Sequence, residues 1–200
     1  MGSYAIKLDK VGSDTGMVGI KAQKLGSMIS GGLPVPSGFV ITTEAYVKFI
    51  RHNKIANKIS SLVEEVQSSG MERTEEISNQ IQNMIINGIL PDFIEKDVKK
   101  EYQDLSIGSD AKEIGGAAFD LIRAGRDSVF VAVRPSPSSV GIPAANFSGQ
   151  MKTIISARGY QQISEAIKEC WASLFSVRAM LYRKRKRIRE MPAMGVIIQK

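Results

Sequence analysis

Histidine and cysteine are almost missing from this chain, with one of each, His52 and Cys170. A lone cysteine allows no intrachain disulfide and points to a reducing, cytoplasmic setting. His52 lies in a polar stretch, which gives it a surface role and leaves neither a histidine-built metal site nor a Ser/His triad. Apolar runs are short, and none reaches the ~18 to 20 residues that span a bilayer. The opening Met1-Gly2-Ser3-Tyr4 has no charged-then-apolar signal. The glycosylation triplet Asn146-Phe147-Ser148 therefore carries no weight. Paired carboxylates are lacking too. Asp9, Asp14 and Asp127 are scattered, and no Asp/Glu cluster falls on a strand end, so no metal ligands are assigned.

The chain does hold enough material for one or two domains with a core: 200 residues, 43% of them hydrophobic, at a net charge of +7. Much of that charge sits in Arg183-Lys184-Arg185-Lys186-Arg187 with Arg189. The run reads as the solvated end of a helix, where cations suit the macrodipole. Aromatics make up only 6% of the chain and none interleaves with the run. Nucleic-acid binding is therefore not expected.

Tyr4, Ile6 and Leu8 alternate as in a strand. Lys21 to Ser30 reads as a helix ended by Gly31-Gly32. Leu33-Pro34-Val35-Pro36-Ser37-Gly38 is a rigid turn before a buried strand over Phe39 to Thr42, and Thr43 is the expected cap of the helix that follows. Stripes at Ile59, Leu62, Val63, Val66 and at Ile77, Ile81, Ile85 give a helical region over 55–104. The second half alternates strand and helix. A helix is expected over Ile114 to Arg126, a valine-rich strand over Ser128 to Val133, and an irregular loop from Arg134 to about Gly149. A return strand over Met151 to Ile155 comes next. One helix face follows from Ile163 through Cys170 to Val177, and a strand over Gly195 to Gln199 ends the chain. The class is α/β, mixed with α+β, in two units, 1–110 and 111–200.

Two places have the chemistry to hold an anion. Lys21 follows Val18-Gly19-Ile20 at a helix start, where free backbone N–H groups point outward. The spacing is not that of a Walker A loop, because Ala22 stands where its Ser or Thr belongs. Arg134 is expected at the carboxyl end of a strand, the usual side for ligands in α/β folds. The serines after it, Ser136, Ser138 and Ser139, lie in a loop suited to phosphate. That loop, Pro135 to Ser148, is expected to order over a ligand.

Val18-Gly19-Ile20-Lys21-Ala22-Gln23-Lys24-Leu25-Gly26 and Gly32 through Tyr46 closely resemble the opening of phosphoenolpyruvate synthases. Val131-Ala132-Val133-Arg134, Phe147-Ser148-Gly149-Gln150, Cys170-Trp171-Ala172-Ser173-Leu174-Phe175, Tyr182-Arg183-Lys184-Arg185 and Val196-Ile197-Ile198-Gln199-Lys200 match later blocks in the same order. The blocks also fit pyruvate phosphate dikinase and rifampicin phosphotransferase. The resemblance implies a partial ATP-grasp module with a helical insert. In that family the module binds ATP and phosphorylates a histidine on a separate domain, for transfer to pyruvate further on. It places ATP contacts on Lys21, Arg134, Gly149, Thr153 and Gln199. It puts the Mg2+ ligands beyond residue 200, so the chain is expected to be inactive alone. The sequence departs from the family pattern at Ile20, where a second glycine is usual. It departs again at Pro135-Ser136-Pro137-Ser138, and at Val140-Gly141, where two acidic residues are usual. A diverged nucleotide- or anion-binding module without catalysis is the alternative.

Overall fold

The computed structural model describes residues 3–107, 128–138, 151–188 and 191–200. The expected helix over 114–126, and the segment from Ser139 to Gln150, lie outside them.

Five strands form one sheet in the order β1-β2-β5-β3-β4, with every neighbouring pair antiparallel. They are β1 Ala5–Lys7, β2 Gly38–Ile41, β3 Phe130–Pro137, β4 Ile154–Arg158 and β5 Met194–Gln199. Strands from both halves of the chain therefore interleave. The last strand, β5, sits between β2 and β3 and is buried along its whole length. Its composition explains the position: Val196-Ile197-Ile198 carries apolar side chains to both faces, which only a central strand can bury.

One face of the sheet holds most of the core. Phe39, Ile41, Val131, Val133, Val196 and Ile198 pack there under the helices. These are α3 Thr43–His52, α4 Ala56–Val66, α5 Met71–Ile86, α6 Asp92–Ile107 and α7 Gly159–Ala172. Trp171 is fully buried, with Tyr46 and Phe49 at ring centroid distances of 5.7 and 5.0 Å. Its indole N–H donates to the Met194 carbonyl at 3.3 Å, which ties α7 to the central strand. On the other face, Val40 and Ile197 meet a smaller cluster of Leu8, Val18 and Ala22. Leu8 comes from a 3-10 turn over Leu8–Lys10, Val18 from the short α1 Thr15–Val18 and Ala22 from α2 Ile20–Ser30.

The mixed α and β content agrees with the sequence pattern, but several elements differ. The cap of α3 is Thr42, whose hydroxyl accepts from Ala45 N–H at 3.3 Å, while the Thr43 hydroxyl donates to the Gly16 carbonyl at 2.8 Å. With two threonines in succession, only the packing of α1 decides which one caps. The stripe from Ile163 to Val177 is not one helix. After α7 the chain makes a 3-10 turn over Ser173–Phe175, and Ser176 caps a new helix, α8 Val177–Arg185. The turn keeps Leu174 and Phe175 buried, so the apolar spacing survives the break. The return strand lies over Ile154–Arg158, later than expected. Arg183, expected in a solvated run, is only 2% exposed.

The loop expected from Arg134 begins four residues later, because β3 continues to Pro137. Two prolines inside a strand call for an explanation. Ser138 N–H donates to the Ala193 carbonyl on the β5 side, so even-numbered residues of β3 turn their N–H groups toward β5. Pro135 and Pro137 are odd-numbered, and their missing donors face the other way. There β4 has already ended, its register reaching only Val133↔Ile154. The prolines thus cost the ladder no bond and bar a further strand from that edge.

Candidate functional site

The site grows from the sheet face opposite the main core. Cross-strand partners share a face, and the register pairs Ala132 with Gln199, Arg134 with Ile197 and Ser136 with Gly195. Because Ile197 packs under α2, Arg134, Ser136 and Gln199 also lie on the α2 side. Arg134 is thus in mid-strand and not at a strand end, which follows from the longer β3.

The start of α2 is pressed onto β3. Gly19 has φ 79° and ψ 160°, a conformation essentially confined to glycine. A Cβ built on it would lie 2.0 Å from the Ser136 carbonyl oxygen. One residue after Lys21, Ala22 N–H donates to the Ser136 hydroxyl at 3.0 Å. Asp14 caps α1 through Gly16 and Met17 N–H at 2.8 and 3.2 Å, which steadies the approach to Gly19. The departure at Ile20 is accommodated because Ile20 is the first helical residue and its backbone has no positive φ. Of these two positions, Gly19 is the one that needs glycine.

Lys21 and Arg134 are brought together by this arrangement. Lys21 stays accessible to solvent, yet protein packs around its ammonium closely enough to lower its pKa. Partial burial is the main cause, the Arg134 charge the second, and the Cys170 thiol opposes them weakly. Arg134 donates through Nη1 to Gln199 Oε1 at 3.0 Å, and Gln199 Nε2 donates to the Pro36 carbonyl at 3.0 Å. Gln199 is 5% exposed, so its amide holds the guanidinium from a fixed base. Among the described residues no carboxylate pairs with Lys21 or Arg134. Two cations close enough to repel, with no carboxylate paired to either among the described residues, favour a nearby anion.

The other sequence-derived residues fall differently. Ser136 is completely buried and its hydroxyl is engaged by α2; Ser138 is 2% exposed. Thr153 is exposed just before β4. Gly149 and Ser139 lie outside the described residues. Pro36 enters as a support that the sequence did not single out, and Gly19, read there as the glycine before Lys21, enters as the close contact of α2 with β3. A helix start whose cap position holds glycine is one signal that the cap must come from elsewhere, but its partner 114 residues away carries no local mark. Among the described residues no group of three or more His, Cys, Asp or Glu is placed to hold a metal ion, and no helix is long and apolar enough to cross a membrane.

Cys170 lies just behind the site. It is buried, with its thiol toward the Lys152 and Val133 carbonyls at 3.3 and 3.9 Å. Burial, reinforced by Glu169, pushes its pKa up to about 12. Alkylation of the folded protein by iodoacetamide at pH 8 is therefore expected to be at least about 100-fold slower than that of the urea-unfolded chain, since thiolate and access are both scarce. Rapid stoichiometric labelling of the native protein, read by intact mass, would contradict this placement.

Residues 15–200 match the family model of the pyruvate phosphate dikinase AMP/ATP-binding domain. The chain is 33% identical over 199 residues to a probable phosphoenolpyruvate synthase of Staphylothermus marinus, covering 98% of this chain and 22% of that protein. It is 34% identical over 196 residues to the phosphoenolpyruvate synthase of Aeropyrum pernix, covering 96% and 22%. With the phosphoenolpyruvate synthase of Pseudomonas aeruginosa it shares 30% identity over 188 residues, covering 92% and 22%. The chain thus spans about a fifth of the length of these curated relatives.

Proposed function

Because the chain belongs to the family of the pyruvate phosphate dikinase AMP/ATP-binding domain, we propose that the face shared by α2, β3 and β5 holds the phosphates of ATP. The observation that carries this reading is the approach of Lys21 to Arg134 with no carboxylate among the described residues paired to either. Lys21 supplies a point charge beside the start of α2, and Arg134 supplies a planar fork suited to phosphate oxygens. Gln199 holds that fork in one orientation. Thr153, exposed before β4, and Gly149 and Ser139 complete the nucleotide contacts in this proposal. The module is of ATP-grasp type and works in the cytoplasm.

Phosphoryl transfer asks a protein mainly for positioning and for charge to stabilise the transferring group. This chain supplies the cations. Mg2+, when bound with ATP, would neutralise the phosphate oxygens further; its carboxylates belong to the rest of a longer protein in this reading. So do the histidine that accepts the phosphoryl group and the domain that handles pyruvate. The chain is then the ATP-binding portion of a phosphoenolpyruvate synthase-like dikinase and does not turn over by itself. Calorimetric titration of the chain with ATP is expected to show saturable binding at one site, weakened by rising salt. No heat and no ATP-induced rise in melting temperature at millimolar nucleotide would count against the proposal.

A further inference from the structure

A helix that starts with glycine at its cap has no side chain to satisfy its first N–H groups, and α2 is such a helix. Its third N–H, that of Ala22, finds an acceptor in the Ser136 hydroxyl at 3.0 Å. That is the N–H which a cap residue's own side chain would normally take. Ser136 is completely buried, so no water competes for the bond. The same residue offers its carbonyl to the α-carbon of Gly19, so close that a Cβ there would overlap it. Lys21 lies between these two tie points. On the strand side, Ser136 and Arg134 are two residues apart on one face, in a ladder that stays in register with β5 from Ala132 to Pro137.

We propose that Ser136 is a positioning residue: it caps α2 from across the fold and thereby fixes the Lys21 ammonium relative to the Arg134 guanidinium. The role in affinity rests on the nucleotide reading above; the role in placing Lys21 does not. Without the cap, the first turn of α2 loses its hydrogen bond to β3 and frays, because no side chain at its own cap position replaces it. Lys21 then moves into water and away from Arg134, and the anion site loses its second cation.

The test compares Ser136→Ala and Ser136→Cys with the unaltered chain, the second keeping volume while offering a much weaker acceptor. The first readout is Lys21 titration in the nucleotide-free protein, followed by NMR of 13C-labelled lysine. Burial and Arg134 lower its pKa, and in both variants it should rise toward the ordinary lysine value. The second readout is ATP affinity, expected to fall about 3- to 30-fold in Ser136→Ala, the range of a lost cap. In a Lys21→Ala background the same substitution should change affinity less than about 2-fold. An unchanged Lys21 titration in folded Ser136→Ala or Ser136→Cys overturns the proposal, and so does an affinity loss equal in both backgrounds. Should the unaltered chain bind no ATP, the nucleotide reading fails while the titration still decides the role of Ser136.

Discussion

Arg134→Ala is expected to weaken ATP binding by about 10- to 150-fold, the effect of losing a charge-assisted contact of roughly 1.5–3 kcal/mol. Lys21→Ala should fall in the same range. The double variant should lose more than the product of the two, because in each single variant the remaining cation is relieved of its neighbour's repulsion, a compensation the double variant lacks. The pH dependence has a definite sign. The charged form of Lys21 holds the anion, so affinity is full below its lowered pKa and declines as pH rises through it. In Arg134→Ala one of the two causes of the lowering is gone, and the decline should shift to higher pH. Arg134→Lys should recover part of the affinity but not the orientation, since an ammonium cannot use the Gln199 carbonyl and a phosphate as a planar fork does. Calorimetry across pH 7 to 10 checks all of these. Equal affinity in Arg134→Ala and the unaltered chain would move the phosphate site off this face.

The same lowered pKa bears on stability. The folded chain binds fewer protons at Lys21 than the unfolded chain between the lowered value and the ordinary 10.5. Protonated Lys21 therefore costs the fold something at neutral pH, and that cost declines as pH rises above the lowered value and is gone above the ordinary 10.5. A bound phosphate removes the cost in another way, by supplying the missing counter-charge.

Gly19→Ala is expected to cost about 2–4 kcal/mol of folding stability, combining a backbone conformation that only glycine adopts easily with overlap in a packed region. The overlap is with backbone: the new Cβ would stand 2.0 Å from the Ser136 carbonyl oxygen and 2.6 Å from its carbonyl carbon. A carbonyl in a strand paired with β5 has little freedom to retreat, so α2 must move, taking Lys21 with it. ATP affinity should fall with stability. Gly12→Ala is the comparison, because a Cβ there meets nothing within 4 Å. Its effect should stay within about 0.5 kcal/mol, as for surface substitutions generally. Urea denaturation of both variants gives the measurement. A Gly19→Ala protein as stable as Gly12→Ala would mean that the close approach of α2 to β3 is wrong.

How far the site was legible depends on the residue. Lys21 and Arg134 stood out in the sequence because a lysine after glycine at a helix start, and an arginine after a valine-rich strand, are local patterns. Gln199 came from resemblance alone, and the structure shows its physical use in holding Arg134. Ser136 was read as a phosphate contact because serine beside proline looks like loop. Only the pairing of β3 with β5 shows that it is buried strand.

The sequence by itself determined the mixed α and β content, most helix positions, the valine-rich and isoleucine-rich strands and the family. Each of these is written in residue types at short spacing, through propensity, periodicity and ordered motifs. The tertiary structure decided which threonine caps α3, where the helix after Ile163 breaks, how Pro135 and Pro137 sit in a strand, and that Gly19, Lys21, Arg134, Ser136 and Gln199 share one face. These depend on partners far apart in the chain, such as Ala22 with Ser136 and Gln199 with Pro36. A hydrogen bond or a steric contact between distant residues leaves no periodic trace in either segment, so it becomes visible only once the sheet has set their register.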